Sequence, residues 1–140
     1  MKNFIGIYDN SVDDDLVNDY LNYWDNNQVF IKNGMVGHNG DIVVKTDVKD
    51  SQDITSNDLP AELIMRYQTS LQKALNEYLE EYKEANHVSK FKIVQEYNFQ
   101  CYPPGGGFKT WHHELAAHRT DGTRHLVFMT YLNTIKDGGT

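Results

Sequence analysis

Imidazole and carboxylate meet in one short stretch of this chain, Trp111-His112-His113-Glu114-Leu115-Ala116-Ala117-His118. Five of its six histidines, His87, His112, His113, His118 and His125, lie in the second half, so whatever metal or proton chemistry they support is concentrated there. In an extended segment alternate side chains share a face, which points His112 and Glu114 one way and His113 the other. An imidazole and a carboxylate on one face can fill two adjacent positions around a divalent metal. With a second imidazole from elsewhere they make a facial triad, which leaves positions open for substrate and oxygen.

Two other readings compete for the same residues. His113-Glu114-Leu115-Ala116-Ala117-His118 resembles the zincin helix motif, in which the histidines stand at i and i+4. Here they are five apart, about 140° round a helix, and that reading is set aside. The other alternative is a set of surface or core histidines that holds no metal. For an isolated His-x-Glu tripeptide it is the better choice, so the surrounding chain has to decide.

The elements that must position this stretch are legible in outline. Phe4 to Tyr8 has the character of a short opening strand. Ser11 and Asp14 have the form of a capping box. Val12, Leu16, Val17, Tyr20, Tyr23 and Trp24 follow at helical spacing, which predicts a helix ending near Asn26-Asn27. Residues 33–58, rich in Gly, Asn, Asp and Ser, read as a loop with one strand at Ile42-Val43-Val44. A second helix is capped by Asn57 or Asp58 and has Pro60 in its first turn. Its stripe is Ile64, Tyr67, Leu71, Leu75, Tyr78 and Tyr82, whose tyrosines read as core. Past Asn86 the period changes to two: Phe91, Ile93, Tyr97, Phe99 and Cys101 alternate with polar residues, predicting a strand over 91–102 with one wet face. Pro103-Pro104-Gly105-Gly106-Gly107 breaks it. Leu126 to Leu132 is a near-continuous apolar run, which predicts a strand over 124–133 buried on both faces. Asp137-Gly138-Gly139 is a turn signal.

Composition narrows the function. One domain fits 140 residues, and 39% hydrophobic with 24% charged residues suits a packed core. The formal charge of −7 without a basic stripe argues against nucleic acid as partner. Cys101 is the single cysteine, so neither an internal disulfide nor a cysteine-rich zinc site is open to the chain, and a reducing, cytoplasmic setting is expected. No stretch approaches the ~20 apolar residues of a membrane span, so no membrane partner is expected.

Taken together, the run from Tyr102 through Trp111-His112-His113-Glu114, then Arg124-His125-Leu126-Val127-Phe128-Met129-Thr130-Tyr131-Leu132-Asn133, then Asp137-Gly138-Gly139-Thr140, resembles the prolyl 4-hydroxylase-like branch of the Fe(II)/2-oxoglutarate-dependent oxygenases. That family has a Tyr at a strand end, a Gly-containing turn, a His-x-Asp, an Arg-opened apolar strand ending Tyr-Leu-Asn, and a Gly-Gly turn, in the order found here. The likeness is close over residues 91–140 and general over the N-terminal helices.

The resemblance implies an α+β fold, a double-stranded β-helix (jelly roll) supported by N-terminal helices, with 1–87 as the helical support and 88–140 as the first part of the barrel in one partial domain. It makes His112 and Glu114 iron ligands and places Tyr102, Tyr131 and Thr140 in the 2-oxoglutarate pocket. It implies Fe(II), 2-oxoglutarate as cosubstrate and ascorbate as accessory. The reaction would be hydroxylation of a peptide or small-molecule substrate, such as a peptidyl proline, with 2-oxoglutarate decarboxylated to succinate. Two departures stand out. Glu114 occupies the family's Asp position, and the second His ligand and the base for the distal carboxylate belong to later strands, so a C-terminally truncated, inactive fragment that associates through an open sheet edge is expected. The rival functions are a non-catalytic jelly-roll binding domain and a zinc-dependent hydrolase using the His-rich segment.

Overall fold

The computed structural model describes residues 3–38, 40–88, 90–93, 96–112, 114, 124–136 and 138. The chain divides into two compact units, residues 1–109 and 110–140. It is a mixed α+β protein, and no helix among the described residues is long and apolar enough to cross a membrane.

In the first unit, α1 (Asp14–Asn26) starts at Asp13, whose carboxylate accepts from Leu16 N at 2.7 Å. The cap is therefore Asp13 and not the expected Ser11 box. An acceptor one residue before the helix reaches the third amide directly, and Asp14 and Asp15 then sit at the positive end of the dipole. The helix ends where the sequence places its end, with the Asn26 and Asn27 side-chain amides donating to the carbonyls of Asn22 and Tyr23. α2 (Ala61–Glu81) begins immediately after Pro60, while Asn57 and Asp58 belong to a 3-10 turn, Ser56–Asp58. Its inward face is Leu63, Tyr67 and Ser70; of the expected stripe only Tyr67 and Tyr82 are fully buried.

Residues 33–58, expected to be mostly loop, carry most of the strands: β1 (Lys32–Asn33), β2 (Val36–His38), β3 (Asp41–Val43), β4 (Lys49–Asp50) and β5 (Gln52–Thr55). β6 (Asn98–Cys101) and β7 (Gly107–Phe108) complete the set. Every pairing is antiparallel: β1-β5-β6 in one sheet, the β2–β3 hairpin, and β4 with β7. These are three small sheets, and no closed barrel forms among the described residues.

The β1-β5-β6 sheet has two unlike faces, and its register fixes them. Ile54 lies opposite Phe99, and Asp53 lies opposite Gln100. The Ile54–Phe99 face is the core side. Ile54 is fully buried, and Tyr20 and Trp24 of α1 meet the Phe99 ring edge-on at 5.4 and 5.1 Å. Tyr67 joins the same cluster beside Tyr20 and Tyr97. The opposite face carries Asp53 and Gln100.

Three strand expectations need correction. Among the described residues, the strand expected over 91–102 is confined to Asn98–Cys101, paired with the four residues of β5. Phe4 to Tyr8 is not a strand. Phe4 takes a left-handed φ of 58°, and the Phe4 and Ile5 carbonyls accept from the hydroxyls of Tyr78 and Tyr82 at 3.0 and 2.9 Å instead of from a neighbouring strand. In the second unit, 124–133 is not a strand and is not buried on both faces: Val127, Met129 and Tyr131 are 60–64% exposed, with Leu126, Thr130 and Leu132 half-buried between them. An apolar run is buried only where a partner surface covers it, and no described strand pairs with this one.

Candidate functional site

Within the second unit the structure brings His112 and Glu114 together, with Nε2 3.3 Å from Oε1. Both side chains are a little over 40% exposed, so the pair is open to solvent and to ions. The other ring nitrogen, Nδ1, lies 3.2 Å from the Thr110 carbonyl oxygen. A carbonyl only accepts, so this bond puts the ring proton on Nδ1 and directs Nε2 at the carboxylate. A carbonyl held on one ring nitrogen in this way fixes the direction in which the other nitrogen points.

With a proton on Nδ1 alone, the ring would set its Nε2 lone pair against a carboxylate lone pair. Two acceptors this close repel unless something positive lies between them. A proton on Nε2 would serve, giving an imidazolium–carboxylate pair, and so would a metal ion. Donors at about 2.1 Å from one ion stand roughly 3.0 Å apart at a right angle and roughly 3.4 Å apart at the tetrahedral angle. The observed 3.3 Å lies within that range, so the two residues fit adjacent positions on one metal.

Arg124 completes the cluster. Its Nη1 donates to both the main-chain oxygen and Oε2 of Glu114, at 2.8 and 2.9 Å. The guanidinium thus fixes the carboxylate by one oxygen and leaves Oε1 to face His112. Arg124 thus pairs with the acid of the His-x-Glu motif. His113, His118 and Thr140 lie outside the described residues. Tyr131 is 64% exposed, which differs from the interior position expected of it. Among the described residues no group of three or more His, Cys, Asp or Glu is placed to hold a metal.

In the first unit, Tyr102 directly follows β6 and is 41% exposed. Behind it runs a polar network that sequence reasoning missed. The Tyr102 hydroxyl donates to Gln100 Oε1 at 3.1 Å, and Gln100 Nε2 donates to Asp53 Oδ2 at 3.2 Å. Asp53 also receives Lys49 Nζ on Oδ2 at 2.6 Å and the Ser51 hydroxyl on Oδ1 at 2.7 Å. Lys49, Ser51 and Asp53 are each 5–7% exposed. Burying such a pair is costly, and the added bonds from Ser51 and Gln100 to Asp53 offset part of that cost. Gly34 makes room for it, since a Cβ there would stand 2.2 Å from the Ser51 hydroxyl. The available signal was the alternation Lys49-x-Ser51-x-Asp53, a strand pattern whose inward residues happen to be polar.

No protein-family model matches the chain, and neither a curated protein nor a solved structure matches it.

Proposed function

We propose that this chain carries part of the active site of an Fe(II)/2-oxoglutarate-dependent oxygenase built on a double-stranded β-helix. The substrate in this reading is a peptidyl residue such as proline. The observation that carries it is the 3.3 Å approach of His112 Nε2 to Glu114 Oε1, with Nδ1 tied to Thr110, inside a run of motifs that resembles the prolyl 4-hydroxylase-like branch. When bound, iron would supply the oxygen chemistry that couples decarboxylation of 2-oxoglutarate to hydroxylation.

The chain's own residues supply orientation. His112 and Glu114 hold adjacent metal positions. Thr110 fixes the imidazole tautomer, and Arg124 keeps Glu114 bound through a single oxygen. Tyr102, Tyr131 and Thr140 serve the cosubstrate pocket, as the resemblance assigns them. The second imidazole and the base for the distal carboxylate come, in this reading, from residues outside those described.

One observation favours a second reading. Arg124 and a protonated His112 would together neutralise Glu114 with no metal at all, as a non-catalytic domain would need. Iron-dependent release of succinate from 2-oxoglutarate separates the two. Activity should be lost in His112→Ala and should not be supported by zinc. Metal binding without succinate, or zinc-supported hydrolysis, would sink the oxygenase reading.

A further inference from the structure

We infer that Asp53, acting through Gln100, sets the hydrogen-bond polarity of the Tyr102 hydroxyl, so that a carboxylate can be bound there only by displacing the Tyr102–Gln100 bond. The link to 2-oxoglutarate rests on the oxygenase reading above; the polarity itself does not.

Each step follows from what the groups can donate. An ionised carboxylate only accepts, and Asp53 already takes a proton from Lys49 and one from Ser51. The Gln100 side chain lies across the ladder from it, so the amide must present its NH2 to Asp53 Oδ2, as the 3.2 Å contact requires. The amide oxygen is then left facing Tyr102. An amide oxygen accepts, so the single phenolic proton of Tyr102 points at Gln100. With its proton so engaged, the hydroxyl has only acceptor capacity left to offer a ligand. A group so set welcomes a donor, such as a peptide N–H, and opposes an anionic carboxylate.

Gln100 is therefore a positioning residue whose presence weakens carboxylate binding. Gln100→Met keeps the shape of the side chain, removes the acceptor and leaves Asp53 with Lys49 and Ser51. It should free the Tyr102 proton and tighten the response to 2-oxoglutarate by about three- to tenfold, the range of one hydrogen bond. In a Tyr102→Phe background the same substitution should change nothing, because the effect passes through the hydroxyl. Lys49→Met/Asp53→Asn removes the buried charges together, lets the Gln100 amide turn over, and should tighten binding in the same direction.

NMR titration of 2-oxoglutarate into the 140-residue chain reads these shifts, even for weak binding. Tightening in Gln100→Met that disappears in Tyr102→Phe supports the inference. Weakening, no change, or an equal change in both backgrounds overturns it. If only the Lys49/Asp53 double variant fails to tighten, Asp53 has no part in the relay. If 2-oxoglutarate perturbs none of these proteins, the cosubstrate reading fails. The relay is then decided by the Tyr102 ring resonances alone: displacement in Gln100→Met relative to wild type upholds it, and unmoved resonances refute it.

Discussion

The hydroxyls of Tyr20 on α1 and Tyr97, just before β6, meet at 3.0 Å on the core side of the β1-β5-β6 sheet. Burial holds both phenols above their ordinary value, and for Tyr20 the bond with Tyr97 raises it further. A native state that retains protons the unfolded chain gives up loses stability as pH rises. This contribution is fully present below pH of about 10, where the unfolded tyrosines titrate, and is lost as pH climbs through the raised native values. Tyr20→Phe should cost about 1–2 kcal/mol at neutral pH by orphaning Tyr97. It should also flatten the decline in stability above pH of about 10, read by urea unfolding at a series of pH values.

Lys49 and Asp53 form a pair in which neither charge can be removed alone without cost. Lys49→Met leaves a buried carboxylate facing only Ser51 and Gln100, and should destabilise by about 3–5 kcal/mol. Lys49→Met/Asp53→Leu, which removes both charges, should recover most of that loss. Chemical denaturation of the two variants is the check, and a double variant worse than the single would mean the pair is net stabilising.

Gly34 is a packing prediction of a different kind. A methyl group there collides with the Ser51 hydroxyl and stands 3.2 Å from the Ser51 carbonyl oxygen, which accepts from Gly34 N. The backbone contact cannot swing aside. Gly34→Ala should therefore cost about 1–3 kcal/mol and push Ser51 off Asp53. Its melting temperature should fall, while Gly37→Ala, which meets nothing within 4 Å, should leave it unchanged.

Metal binding tests the second unit. The two described donors, His112 and Glu114, by themselves hold a divalent ion loosely, so Fe(II) binding should be weak and should be lost in a His112→Ala control. Cobalt(II) absorption provides a direct readout of the same site. His112→Ala and Glu114→Gln should each abolish the protein-induced bands. Arg124→Met should weaken them by a smaller factor, since Glu114 loses its anchor but keeps its charge.

Association tests the exposed run. Leu126 to Leu132 carries no charge, has strong β character, and leaves Val127, Met129 and Tyr131 open. Val127→Lys or Met129→Glu should reduce concentration-dependent association in sedimentation, with no effect on the unfolding of residues 1–109.

What the sequence conveyed follows from where the physics is local. Both helices were readable because Leu16, Tyr20, Tyr67 and Tyr82 recur at the helical period and the Asn26-Asn27 pair and Pro60 mark ends, whereas the Asp13 cap and the inward place of Leu63 were not read. The approach of His112 to Glu114 was readable from alternation alone. β4 and β5 were not, because Lys49, Ser51 and Asp53 are polar yet buried against one another, which leaves Ile54 as the one apolar residue buried in β5. The strand expected over 124–133 failed for the converse reason. Leu126 to Leu132 has the composition of a buried strand, but composition cannot supply the neighbour that would cover it.

The position of β5 has a consequence for how this molecule folds. Its neighbours β1 and β6 lie on opposite sides of it in sequence, and the Thr55↔Asn98 end of its ladder with β6 closes a loop that contains all of α2. Closing so long a loop costs entropy before any ladder bond is returned, whereas α2 can begin to form from contacts within itself. The order of events is then set by topology: α2 early, β6 docking late, and the Lys49–Asp53–Gln100 network last, since it needs both strands in place. Pulse-labelling should find the Phe99 amide, which stands opposite Ile54 in the ladder, among the slowest in unit 1 to gain protection, well after those of Tyr67 and Ser70.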